Sequence, residues 1–74
     1  MLKDSSEKFK VLAEKRVNRA LKDIQLIGNL ANTNNYKYSA EDAQKIHNAL
    51  KQALDSMKSR FETSLQSKDE NFKL

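Results

Sequence analysis

The chain of 74 residues has no cysteine, no proline, no tryptophan and a single glycine, Gly28. Without cysteine there are no disulfides, no thiolate metal sites and no thiol nucleophile. One glycine cannot build a glycine-rich phosphate loop. Without proline, and with many Ala, Leu, Lys, Gln and Glu, nothing in the composition breaks a helix. No apolar run approaches the roughly 18 residues that a membrane span needs. The start, Met1-Leu2-Lys3-Asp4-Ser5-Ser6, lacks the apolar centre of a signal peptide. These absences point to a small soluble all-α chain, with the cytoplasm as its expected compartment and no membrane partner. The chain is one domain at most, near the size where one core barely suffices.

What is present is organised around Asn32-Thr33-Asn34-Asn35-Tyr36-Lys37-Tyr38-Ser39. Asn and Thr compete with helical hydrogen bonding through their own side chains, so a helix should stop there. Asn tolerates the left-handed conformation of helix C-termini, which makes Asn32, Asn34 or Asn35 the expected stop. Ser39 then has the spacing of an N-cap for the amide of Asp42, and Glu41 and Asp42 bring negative charge to a first turn. Tyr38 and Ala43 stand at hydrophobic-staple spacing. A stop, a loop over 33–39 and a capped restart predict a helical hairpin, with helices over about 5–32 and about 40–66.

The first segment opens on Asp4-Ser5-Ser6-Glu7, the spacing of a capping box with Asp4 as cap. At 100° per residue, Phe9, Leu12, Ala13, Val17, Ala20, Leu21, Ile24, Ile27, Leu30 and Ala31 occupy about half of the cylinder. One neighbouring helix cannot cover so wide a face. Gly28 is read inside this helix, where it would permit close helix approach. The alternatives are an early helix stop at Gly28 and a break near Gly28 that makes a monomeric three-helix bundle. On the polar side, Lys8, Lys15, Arg19 and Lys22 share a stripe about 21 Å long, with Arg16 flanking it toward the apolar side. Such a stripe suits phosphates or another acidic partner, and it also suits plain solvation. Residues 1–38 hold eight Lys/Arg against four acids, and residues 39–74 hold six of each. The whole net charge of +4 therefore belongs to the first half.

In the second segment Ala43, Ile46, Leu50, Ala53, Leu54, Met57, Phe61 and Leu65 form a narrower stripe with coiled-coil spacings of three and four. Lys51, Asp55, Lys58 and Glu62 alternate in sign, as solvated helix faces do. His47, the one histidine, lies at the edge of the stripe and is expected to be a half-buried packing residue. It has no second ligand at helical spacing. Residues 67–74 are read as a flexible C-terminal tail.

No set of residues argues for catalysis: one histidine makes no triad, and the acids stand at caps or on outer faces. The expectation is a non-enzymatic chain without catalytic, metal or cofactor sites and without a small-molecule substrate. The width of the first apolar face asks for partners. The fold expected is a two-helix antiparallel hairpin that dimerises into a four-helix bundle. Its core would hold Phe9, Leu12, Val17, Leu21, Ile24, Ile27, Ile46, Leu50, Met57 and Phe61. The function expected is a protein-interaction module, such as an inhibitor, adaptor or assembly subunit, with Tyr36, Lys37 and Tyr38 as a protein contact. The alternative is a small basic RNA- or DNA-binding regulator using Lys8, Lys15, Arg16, Arg19 and Lys22. A two-helix chain that dimerises with basic residues on its first helix is similar in outline to the Rop family of plasmid RNA-binding proteins. The likeness is one of shape, with no shared motif.

Overall fold

The computed structural model describes residues 4–69, with side chains described through residue 66. It is all-helical. Helix α1 runs Ser5–Gly28 and helix α2 runs Ala40–Asp69, with no strand among the described residues. The chain divides into two compact units, Met1–Lys37 and Tyr38–Leu74, each built on one helix.

Helix α1 starts because Asp4 leaves the helical region, at φ −148° and ψ 174°, and turns its carboxylate onto the first free amides. The Glu7 amide donates to Asp4 Oδ1 at 2.8 Å. The Lys8 amide donates to the Asp4 carbonyl at 3.1 Å, closing the first helical turn. One of the orphan donors of the helix start is thereby satisfied by the side chain.

The C-terminus of α1 corrects two expectations. The helix ends at Gly28, about four residues before the asparagine cluster, and Asn29 is the cap. The cap is right-handed, at φ −66° and ψ −15°. No non-glycine residue among those described has a positive φ, so Asn32, Asn34 and Asn35 do not supply a left-handed stop. The physical reason lies in the last turn. The Leu30 amide donates to the Ile27 carbonyl and the Ala31 amide to the Gly28 carbonyl, each at 3.0 Å. These three-residue closures satisfy the last carbonyls by tightening, so no left-handed residue is needed. Leu30 and Ala31 therefore extend the apolar pattern without extending the helix. Gly28 is the last helical residue. A Cβ built on it meets nothing within 4 Å.

The asparagines organise the link between the helices. The Asn34 amide donates to Asn32 Oδ1 at 3.0 Å, and the amides of Asn35 and Tyr36 donate to the Asn32 carbonyl at 3.1 and 2.9 Å. This is side-chain competition with the helix ladder, acting one turn later than the helix end. Residues 29–39 contain turns but no helix, which removes the three-helix alternative.

Helix α2 opens on a reciprocal cap. The Asp42 amide donates to Ser39 Oγ and the Ser39 amide donates to Asp42 Oδ2, both at 3.0 Å. The Ala43 amide donates to the Ser39 carbonyl at 3.1 Å. Aspartate here takes the place of the Glu or Gln common at this position of a capping box, which shortens the reach by one carbon. Ser39→Ala removes one half of this exchange and orphans the Asp42 amide. We expect it to lower stability by about 1 kcal/mol, read from the urea midpoint of the far-ultraviolet circular dichroism at unchanged m-value. Ser39→Asp, which keeps an acceptor, should cost much less.

Helix α2 continues to Asp69, three residues beyond the expected end. Residues 62–69 hold no glycine or proline, and nothing else there stops a helix. The expected flexible tail over 67–74 is thus helical in its first three residues, and its remainder lies outside the described residues.

Candidate functional site

The described residues hold no enclosed site. Depressions on the surface of α2 are lined by side chains of that helix alone, such as Ala53, Met57, Arg60 and Phe61. They are the furrows between ridges of a single helix. No group of three or more His, Cys, Asp or Glu among the described residues could hold a metal ion. No helix is long and apolar enough to cross a membrane. What remains as candidate sites are helix faces.

On the apolar face of α1, Phe9, Val17, Leu21 and Ile24 are each about half exposed, and Leu12, Ala13 and Ile27 are intermediate. Along the stripe of α2, Leu50 is 37%, Ile46 45%, Met57 46%, Phe61 49% and Leu54 60% exposed. None of the described residues is buried. Exposed side chains of this kind are normal when scattered. Here they are aligned, because the spacings of three and four return them to one side of each helix. An aligned row of Leu, Ile, Phe and Met in water is uncommon on soluble monomers.

The polar quadrant of α1 carries Lys8, Lys15, Arg19 and Lys22, all exposed. The 24 residues of α1 form one uninterrupted helix, which keeps these four on one meridian. The ion pair described in the chain is on α2, Lys45 Nζ to Glu41 Oε1 at 3.6 Å, with both side chains largely in solvent. At this exposure it adds little. Among the described residues no carboxylate is paired with a cation of the α1 stripe. Val11 and Leu26, half exposed, share the quadrant. Arg16 flanks the stripe toward the apolar side, about 60° round the helix from Arg19 and on the meridian of Phe9, Leu12 and Ile27. Asp23, seven residues on, lies within about 20° of the same meridian. It belongs to no charge run, so only its place among apolar residues marks it.

In the link, Tyr36 and Tyr38 are 49% and 44% exposed, and Lys37 is exposed. Tyr36 closes the turn onto Asn32, and Tyr38 is the residue before the Ser39 cap. Lys37 and Tyr38 mark the boundary between the two units. His47 is exposed rather than half-buried in the chain.

No protein-family model, no curated protein and no solved structure matches this chain.

Proposed function

We propose that the chain is a non-enzymatic protein-interaction module that works as a homodimer. Two helical hairpins would close into an antiparallel four-helix bundle whose outer surface serves a second protein. The observation that supports this most is the alignment of half-exposed apolar residues along both α1 and α2. The half-cylinder on α1 is wider than one neighbouring helix covers, so a further helix pair would cover the remainder.

The test is mass in solution. Multi-angle light scattering at micromolar concentration should return about 17 kDa, twice 8.5 kDa, and helicity should fall on dilution as dimers dissociate. A well-folded 8.5 kDa monomer whose thermal midpoint ignores concentration would remove the dimer. With the dimer in hand, an affinity capture repeated after nuclease treatment separates a protein partner from a nucleic-acid bridge. Loss of the captured protein in Tyr36→Ala would support the link as its contact.

A second reading has its own support. Lys8, Lys15, Arg19 and Lys22 form an exposed row without a carboxylate partner among the described residues, and a dimer would double it. Such a row suits the phosphates of RNA or DNA. Binding through four phosphates should weaken about 150-fold between 50 and 200 mM salt, from a log–log slope of about −3.6. Replacing the four by Gln should abolish that dependence, while Gln at Lys45, Lys51, Lys58 and Arg60, which removes the same charge from α2, should not. No duplex binding at 50 mM salt would end this reading.

A further inference from the structure

The apolar half of α1 holds two charges that a plain core would not carry. Arg16 lies on the meridian of Phe9, Leu12 and Ile27, and Asp23 lies within about 20° of it. They have opposite signs and stand seven residues apart, about 10.5 Å along the axis, too far to pair within the helix. Each is exposed, and the ion pair described in the chain involves neither. Midway between them is Ala20, on the same side and with the smallest side chain that a core position offers. Arginine and aspartate flanking a small centre make a pattern that is its own complement when the helix is turned end for end.

We propose that α1 pairs with α1 of a second copy, antiparallel, about a two-fold axis beside Ala20. Arg16 of each copy then meets Asp23 of the other, and Leu12 meets Ile27. This rests on the homodimer proposed above and names its interface. The reason is charge complementarity. In a two-fold contact residue i meets j and j meets i, so one Arg and one Asp supply two pairs. A parallel, in-register contact would set Arg16 on Arg16 and Asp23 on Asp23. Guanidinium and carboxylate inside an apolar seam are costly singly and tolerable together, so they select register and direction. Ala20 lets the two backbones approach at the axis. The other charge close to Asp23 is Arg19, one turn earlier on the edge of the polar quadrant. It is the competing partner that the test must separate.

The experiment is a charge reversal read by sedimentation on the whole chain. Arg16→Glu and Asp23→Lys should each weaken dimerisation by about tenfold or more, because each sets like charges together twice. The double variant, with both pairs restored in reverse, should return to within about threefold of the native affinity. Equimolar mixing of the two single variants should give a mixed dimer, since Glu then meets Lys and Asp meets Arg. Competition by Arg19 predicts otherwise: Arg16→Glu would be silent. A second readout needs no charge change. The chain has no cysteine, so Ala20→Cys should oxidise readily to a covalent dimer, and Glu14→Cys, about 120° away, should not. A native dimer with silent single reversals and no Ala20→Cys cross-link would overturn this interface and leave the dimer standing. A native monomer would overturn both.

Discussion

Ile24→Asp should abolish cooperative unfolding, while Leu26→Asp should leave the midpoint nearly where it was. The two residues are close in sequence, and their exposure in the chain is nearly equal, 48% and 52%. They differ in meridian. Ile24 belongs to the apolar half of α1 with Val17, Leu21 and Ile27, and Leu26 stands among Lys8, Arg19 and Lys22. In the proposed bundle an aspartate at 24 would be an unpaired charge in an apolar layer. The cost is about 3 kcal/mol or more, a large share of what a small domain has. At 26 the change is a surface substitution beside cations, within about 0.5 kcal/mol. The measurement is circular dichroism against urea, with sedimentation for mass. Two variants with equal losses would mean that the apolar half of α1 is not an interface.

Leu50→Ala is the second large effect. Leu50 is the least exposed large apolar residue described on α2, at the centre of the stripe between Ile46 and Met57. A leucine in a closed layer leaves a cavity on truncation, and the loss is about 2–5 kcal/mol. In the proposed bundle, layers would be shared between copies, so the variant should also dissociate at higher protein concentration. Its thermal midpoint should then depend more steeply on dilution across the working range. A change below about 0.5 kcal/mol would place Leu50 in solvent in the functional state. That would exclude α2 from the core.

These predictions turn on angular position, which is legible in residue order alone. The spacings of three and four among Phe9, Leu12, Leu21 and Ile24, and among Ile46, Leu50 and Phe61, fix each face once the chain is helical. The absence of proline and the one glycine leave few alternatives to helix. The start of α2 is equally legible, because an N-cap is a local exchange between residues three apart. Ser39 and Asp42 bond each other over that distance. Ends are harder. A C-terminus has several ways to satisfy its last carbonyls, and composition does not choose among them. Asn32 and its neighbours have the composition of a left-handed stop. The chain instead tightens at Ile27 and Gly28, and the asparagines bond one another afterwards. At the far end nothing punctuates residues 62–69, so α2 runs to Asp69. The place of Arg16, flanking the basic stripe toward the meridian of Phe9, follows from residue order by counting angle.

By itself the order of residues determined the helical class, the two apolar faces, the cap at Ser39 and the cationic row on α1. Each of these depends on residues within one or two turns of one another. The coordinates decided where α1 ends, how the asparagine turn is bonded and how far α2 runs. They also decided that Arg16 and Asp23 stand exposed among the apolar residues of α1. Those outcomes depend on how backbone groups left over at a helix end find partners, and on which side chains remain accessible once the helix is built.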